Sequence, residues 1–212
     1  MISYTTRHSD HYALRLTQSV FFALLLAVFG FVGVKILYCL ENLSYVLEHG
    51  LSFSGTSFYG AVFLVPVFMI PIGLAFHLRP SQTLDLCAAN MTAMIGCMRI
   101  GCFLSGCCGG WCTTIFGWQF VWPTQAMESI GDFLIFSILA NMDSEKRNSG
   151  KLYPFFMVGY GSLRFVIEFL RDTPKDILYL SRGQWYSLFA ILLGITAITI
   201  SNKMQMSVEV KK

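Results

Sequence analysis

Residues 16–34 read LTQSVFFALLLAVFGFVGV and contain no charged side chain. A helix needs roughly 20 mostly apolar residues to cross the hydrocarbon core of a bilayer. This stretch meets that length, and it sets the question asked of the rest of the chain. Further uncharged runs occupy residues 51–76, 86–98 and 183–202. The third becomes a full span if it continues through Arg99 and Ile100 to about Leu104. Residues 123–142, with Glu128 and Asp132, and 152–170, with Arg164 and Glu168, make two more spans with isolated charges. The expected fold class is all-α, a polytopic membrane protein of about six transmembrane helices with an irregular Gly/Cys-rich outward loop between spans three and four. A cleaved signal peptide is not expected, because the first apolar run is too long and no small-x-small site closes it. Without a repeat or linker, residues 1–212 read as a single integral membrane domain, with tails at 1–15 and 201–212.

Composition agrees. Only 13% of the 212 residues are charged and 55% are hydrophobic, whereas a soluble domain carries about 25% charged residues. The net charge of +3 is small and scattered, so no nucleic-acid partner is expected. Six spans put both termini on one side. That side collects nine cations: Arg7, Arg15, Arg79, Lys146, Arg147, Lys151, Lys203, Lys211 and Lys212. The other has four: Lys35, Arg171, Lys175 and Arg182. The positive-inside rule places both termini in the cytoplasm. The loops at 41–56 and 105–122 then face outward. The expected location is the plasma membrane, multi-pass, with the active site facing the outer leaflet.

The charges left inside the spans are Arg99, Glu128, Asp132, Arg164 and Glu168, with Asp85 at an inner end. Each costs about 2.5–3.5 kcal/mol if central and unpaired, so such residues face a bundle interior and do work there. Arg164 and Glu168 are four apart on one helix face and can pair. Glu128 and Asp132 are also four apart and repel unless a cation or proton intervenes; Arg99 is the candidate cation. One reading is an ion-pair network that holds helix register. The other is an outward polar cavity whose two guanidinium forks grip a phospholipid headgroup phosphate.

Between spans three and four the chain reads Met98-Arg99-Ile100-Gly101-Cys102-Phe103-Leu104-Ser105-Gly106-Cys107-Cys108-Gly109-Gly110-Trp111-Cys112. Its glycines permit tight turns and close approach to a ligand. Irregular backbone at this depth must be buried in protein or line a cavity. The cysteines stand open to three readings: free packed thiols, a disulfide on the oxidising outer face, or a metal site. The last is the weakest, because no C-x2-C pair and no nearby histidine is present. Arg99 would supply the field that makes a thiol reactive. His8, His11, His49 and His77 do not form a Ser/His/Asp arrangement.

Five segments together resemble the prolipoprotein diacylglyceryl transferase family. Arg99-Ile100-Gly101-x-Phe103-x-x-Gly106-x-x-x-Gly110 is similar to its signature segment, and Pro123-Thr124-Gln125-x-x-Glu128 to its H-P-T-Q-x-x-E motif, with Trp122 in the histidine position. Tyr160-Gly161-x-x-Arg164-Phe165-x-x-Glu168-Phe169-x-Arg171 resembles its late Y-G-x-x-R-F-x-x-E-F-x-R segment. Ser181-x-Gly183-Gln184-x-x-Ser187 resembles the opening of its last helix, and Ser54-Gly55-Thr56-Ser57-Phe58-Tyr59-Gly60 its G-G-x-x-F-H-G region. The resemblance covers residues 50–200 in order. Family members have seven spans with the N-terminus outside, so six spans beginning inside correspond to a chain without the first of them.

The resemblance implies transfer of a diacylglyceryl group from phosphatidylglycerol to a thiol acceptor such as a lipobox cysteine of a preprotein, with no cofactor and no metal ligands. It implies that Arg99, Arg164, Tyr59, Glu128 and Cys107 are catalytic. Gly101, Cys102, Ser105, Gly106, Gly110, Gln125 and Glu168 would bind substrate. Tyr59 stands where the family has a histidine, Cys102 and Ser105 where it has asparagines, and Cys107 where it has a glutamate. Because the loop is rebuilt around thiols, a covalent intermediate on one of its own cysteines is a further hypothesis; full activity in Cys107 and Cys108 alanine variants would remove it. Two alternatives remain. One is a sister protein using its Cys cluster for thiol-redox or metal chemistry. The other is a lipid-binding transporter.

Overall fold

The structure is a computed structural model describing residues 16–50, 57–115, 118–145, 150–175 and 178–209. The tail at 1–15, Ser54, Gly55, Thr56 and six of the nine cations counted on the cytoplasmic side (Arg7, Arg15, Lys146, Arg147, Lys211 and Lys212) lie outside the described residues. The helices are α1 (Leu16–Glu41), α2 (Leu43–His49), α3 (Tyr59–Ala75), α4 (Pro80–Leu104), α5 (Thr124–Glu145), α6 (Leu152–Ile167) and α7 (Arg182–Glu209). A 3-10 turn at Glu168–Leu170 extends α6. Each of the six expected spans overlaps one helix among the described residues. Thr17–Glu41, Pro80–Leu104 and Arg182–Lys203 are long and apolar enough to cross a bilayer, and α3 is a shorter apolar helix.

Which side chains face out identifies the solvent. On α5 the exposed positions include Met127, Ile130, Leu134 and Ile138, while Gln125, Glu128, Ser129, Asp132 and Asp143 are buried. The helix is amphipathic with its polar face inward, the reverse of a helix on a water-soluble domain. On α1 Phe21, Leu24, Val28 and Phe31 form an exposed apolar stripe. Such surfaces are stable against lipid. The chain is an all-α integral membrane protein.

The chain divides into two compact units, Met1–Cys87 and Ala88–Lys212. In the first, α1 and α3 cross at Gly33 and Gly60; a Cβ on either would run into the other's carbonyl. Small residues at a crossing let two backbones approach where lipid gives helices no hydrophobic reason to associate. Phe29 stacks on Phe68 at 5.3 Å beside it. In the second unit the same device joins α6 to α7, where a Cβ on Gly194 would meet Val158 and the Pro154 carbonyl. It also joins α5 to α6, where Gly131 lies under Leu163.

Part of the loop between α4 and α5 is regular. Strands β1 (Cys112–Ile115) and β2 (Trp118–Val121) pair antiparallel with Cys112 opposite Val121 and Ile115 opposite Trp118. Threonine, isoleucine, valine and aromatic residues favour the extended backbone, which the charge and glycine pattern of the loop did not reveal. The hairpin is tied to the end of α6 by the Gly110–Arg171 bridge and by Trp111 N donating to the Leu170 carbonyl at 3.1 Å.

Candidate active site

The C-terminal end of α4 is shaped by its last residues. Gly106 sits at φ +68°, a left-handed conformation that glycine adopts freely. Gly106 N donates to the Phe103 carbonyl at 3.2 Å and Cys107 N to the Cys102 carbonyl at 3.2 Å. These are the two bonds of a Schellman cap, which folds the residue after the glycine back over the last helical turn. The position that usually makes an apolar contact is here Cys107 over Cys102. Ser105 Oγ donates to the Gly101 carbonyl at 2.7 Å and closes the same turn.

Two turns inside this cap begins a chain of alternating charges. Arg99 meets Glu128 Oε1 at 2.8 Å. Arg164 Nη1 donates to Glu128 Oε1 and Oε2 at 3.1 and 3.0 Å, and its Nη2 meets Glu168 Oε2 at 3.0 Å. Glu168 Oε1 accepts from Ser181 Oγ at 3.0 Å. The side chain of Glu128 is 1% exposed. One carboxylate from α5 therefore holds a guanidinium from α4 and another from α6.

The chain ends on a capping box. Ser181 Oγ accepts from Gln184 N at 3.2 Å, and Gln184 Oε1 accepts from Ser181 N at 2.9 Å. These reciprocal bonds satisfy donors at the start of α7. Gly183 leaves room for the carboxylate, since a Cβ there would lie 3.0 Å from Glu168 Oε1. Beside it a cavity of about 370 Å³ is lined by Glu168, Thr173, Pro174, Ser181, Arg182 and Gly183. Among the described residues Thr173 Oγ1 is buried with no hydrogen-bond partner.

The turn after α4 is anchored to the same elements through its carbonyls. Gln125 Nε2 donates to the Cys107 carbonyl at 2.5 Å. The Cys108 carbonyl accepts from Thr124 Oγ1 at 3.2 Å and from Arg171 Nη2 at 3.3 Å. Gly110 fits against the Leu170 carbonyl and Trp122, where a Cβ would clash.

Arg99, Glu128, Arg164 and Glu168 thus meet in one network, and Gly101, Cys102, Ser105, Gly106, Cys107, Gly110 and Gln125 build the turn at its outer edge. The expected pairing of Arg164 with Glu168 is present. Arg99 is the cation beside the α5 carboxylates, and Arg164 is a second one on Glu128 that helix spacing alone did not pair with it. Asp132 is fully buried one turn from Glu128, and neither of its oxygens has a hydrogen-bond partner among the described residues. Tyr59 belongs to the first unit, where it begins α3, is buried, and stacks on Phe63 at 5.7 Å. Ser181 was visible only as a motif letter, and Arg171 as a motif letter and a loop cation; the S-x-x-Q spacing before an apolar run was the available signal for Ser181. Thr173 had none.

All seven cysteines are free thiols. Cys107 is exposed, and its thiol is held below the ordinary value by hydrogen bonding to Ser105 first, then to Cys108 and Cys102. Hydrogen bonds of this kind favour the thiolate over the thiol. Alkylation of Cys107 should therefore rise with pH with a midpoint below the about 8.5 of an unperturbed cysteine. Ser105→Ala should move that midpoint up. Site-resolved alkylation read by mass spectrometry checks this, and an unmoved midpoint in the variant contradicts it.

A sequence model of the prolipoprotein diacylglyceryl transferase family matches residues 2–200. The chain is 35% identical over 132 residues to a phosphatidylglycerol–prolipoprotein diacylglyceryl transferase of Clostridium tetani, covering 56% of this chain and 53% of the relative. It is 30% identical over 196 residues to a Clostridium perfringens protein named phosphatidylglycerol–prolipoprotein diacylglyceryl transferase 2, covering 84% and 77%. A protein of Methylobacillus flagellatus with the same transferase name is 29% identical over 132 residues, covering 56% and 50%. The chain thus spans about half the length of the first and third of these relatives and about three quarters of the second.

Proposed function

Because the chain belongs to the prolipoprotein diacylglyceryl transferase family, we propose that it moves the diacylglyceryl group of phosphatidylglycerol onto the cysteine thiol of a lipobox-bearing preprotein. The observation that carries this reading is the pair of arginines from two helices held on the single carboxylate of Glu128. A phosphodiester that reaches this point meets two guanidinium groups, whose chemistry suits phosphate oxygens.

In the reaction the acceptor sulfur attacks the glyceryl carbon that bears the phosphate. The carbon–sulfur bond forms as the carbon–oxygen bond breaks, and glycerol phosphate leaves with that bond's electron pair. The thiol proton is released to water or to the departing phosphate. Charge grows on the phosphate as the bond breaks, and fixed guanidinium groups in a dry site stabilise it more strongly there than in the bound lipid. Glu128 and Glu168 orient the forks. Gln125, Thr124 and Arg171 hold the Gly106 to Gly110 turn in register with them through the Cys107 and Cys108 carbonyls. The cavity beside Glu168 suits the glycerol end of the headgroup, since Glu168, Thr173, Ser181 and Arg182 make part of its lining polar.

The site faces the outer leaflet of the plasma membrane in this reading. The nine-to-four distribution of cations supports that orientation. The hairpin suits a headgroup level: Trp118, Phe120 and Val121 are exposed, with Trp111 beside them, and aromatic residues favour the membrane–water interface. Tyr59 would take part as the residue in the family's histidine position.

The test is complementation of cells depleted of their own diacylglyceryl transferase. The expected result is a diacylglyceryl mass increment on the lipobox cysteine of a reporter lipoprotein, lost in Arg99→Ala. An unmodified reporter at normal membrane levels of the protein rejects the proposed reaction.

A further inference from the structure

We propose that Cys102, Cys107 and Cys108 form a binding site for one thiophilic cation of the Zn2+ or Cu+ class, seated on the turn that ends α4. The Sγ atoms of these three residues all lie within 4.8 Å of one another. Three thiolates at about 2.3 Å from a central ion stand about 4 Å apart. Closing on an ion therefore needs side-chain movements of under about 1 Å.

The spacing Cys-x4-Cys-Cys is not that of a zinc finger, and the Schellman cap explains why it nonetheless works. The cap brings the residue after Gly106 back over the helical residue five positions earlier, and both are cysteines. Cys108 follows at φ +62°, a strained left-handed conformation for a residue with a side chain, and its thiol joins the pair. The backbone beneath is already fixed by the bonds that Gln125, Thr124 and Arg171 make to the Cys107 and Cys108 carbonyls. Little chain freedom remains to be lost when an ion binds.

The packing explanation covers these thiols poorly. Cysteine behaves as a small apolar residue when buried, but Cys107 and Cys108 are exposed and Cys102 is partly so. The cluster offers sulfur alone, which selects soft cations and rejects Mg2+ and Ca2+. Binding displaces up to three thiol protons to water and involves no electron transfer. A trigonal site suits Cu+, and solvent at the exposed face supplies the fourth ligand that Zn2+ requires.

The test is a titration of the full chain, purified in detergent under anaerobic conditions, with Cd2+ as the spectroscopic probe. Expected are a thiolate-to-cadmium ultraviolet charge-transfer band that saturates at one ion per chain, displacement by Zn2+, and protection of these three cysteines from maleimide. Cys102→Ser, Cys107→Ser and Cys108→Ser should each weaken binding by at least about 10-fold, while Cys39→Ser and Cys97→Ser leave it unchanged. Saturation without protection, unaltered affinity in the three serine variants, or a disulfide between two of the three in protein isolated from cells would each overturn the site. Binding is read on the thiols, so the result stands whatever the outcome of the transfer assay.

Discussion

Arg164→Lys is expected to slow diacylglyceryl transfer by about 10²–10³-fold, the loss seen when one donor is removed from a site that stabilises a developing oxyanion. The variant keeps a positive charge, so a site that needs only charge would tolerate it. The geometry demands more. Arg164 Nη1 serves both oxygens of Glu128 while Nη2 reaches Glu168, a span across two carboxylates that requires a planar fork. An ammonium is a point donor with a shorter reach and cannot hold both at once. Its position relative to a bound phosphate would then vary, and misplacement of a stabilising group falls mainly on the chemical step. The measurement is the initial rate of lipid addition to a reporter preprotein by purified protein in bilayers containing phosphatidylglycerol. The fall should appear in kcat more than in KM, with the unfolding transition of the variant close to that of the parent. A rate within a few-fold of the parent would show that charge suffices and that the fork is not used.

Glu128→Ala should destabilise the protein by about 3–5 kcal/mol, the cost of removing one partner from a buried ion pair. Here the loss has two victims, because Arg99 and Arg164 both rest on this carboxylate. With it gone, two like charges face each other in a site of low polarity. Glu128→Gln should lie between the alanine variant and the parent, because its amide oxygen still accepts a bond from one guanidinium. Arg99→Met together with Glu128→Ala should recover part of the loss by removing one stranded charge. Denaturant-induced unfolding in detergent micelles reads all three. A loss for Glu128→Ala no larger than the about 0.5 kcal/mol of an ordinary surface change would mean that the arginines hold each other's place without it. Both predictions concern the same network, yet they separate its duties: the first changes rate with the fold retained, and the second changes the fold itself.

The spans were legible because lipid leaves no choice. A run of apolar residues at bilayer length must be helical, since no water is present to satisfy an open backbone. The members of the ion-pair network were legible for a related reason: with so few charges at membrane depth, Arg99, Glu128, Arg164 and Glu168 could be singled out without knowing where each helix lies. The pairing within a helix followed from spacing, as with Arg164 and Glu168. The pairing between helices did not, and the sharing of Glu128 by Arg99 and Arg164 depends on how α4, α5 and α6 pack. Proximity created where the backbone turns was not legible in the linear pattern. The cysteine spacing argued against a metal site when read as a linear pattern, whereas the left-handed glycine at position 106 folds Cys107 onto Cys102.

The sequence by itself determined the solvent, the helices and the small set of charges inside them, because burying an unpaired charge in hydrocarbon costs too much to be common. Only the tertiary structure decided that one carboxylate holds two arginines, that a capping box on α7 carries Glu168, and that three thiols share one turn. Those facts depend on distances of a few ångströms between residues tens of positions apart in the chain, and helix packing sets such distances while periodicity does not.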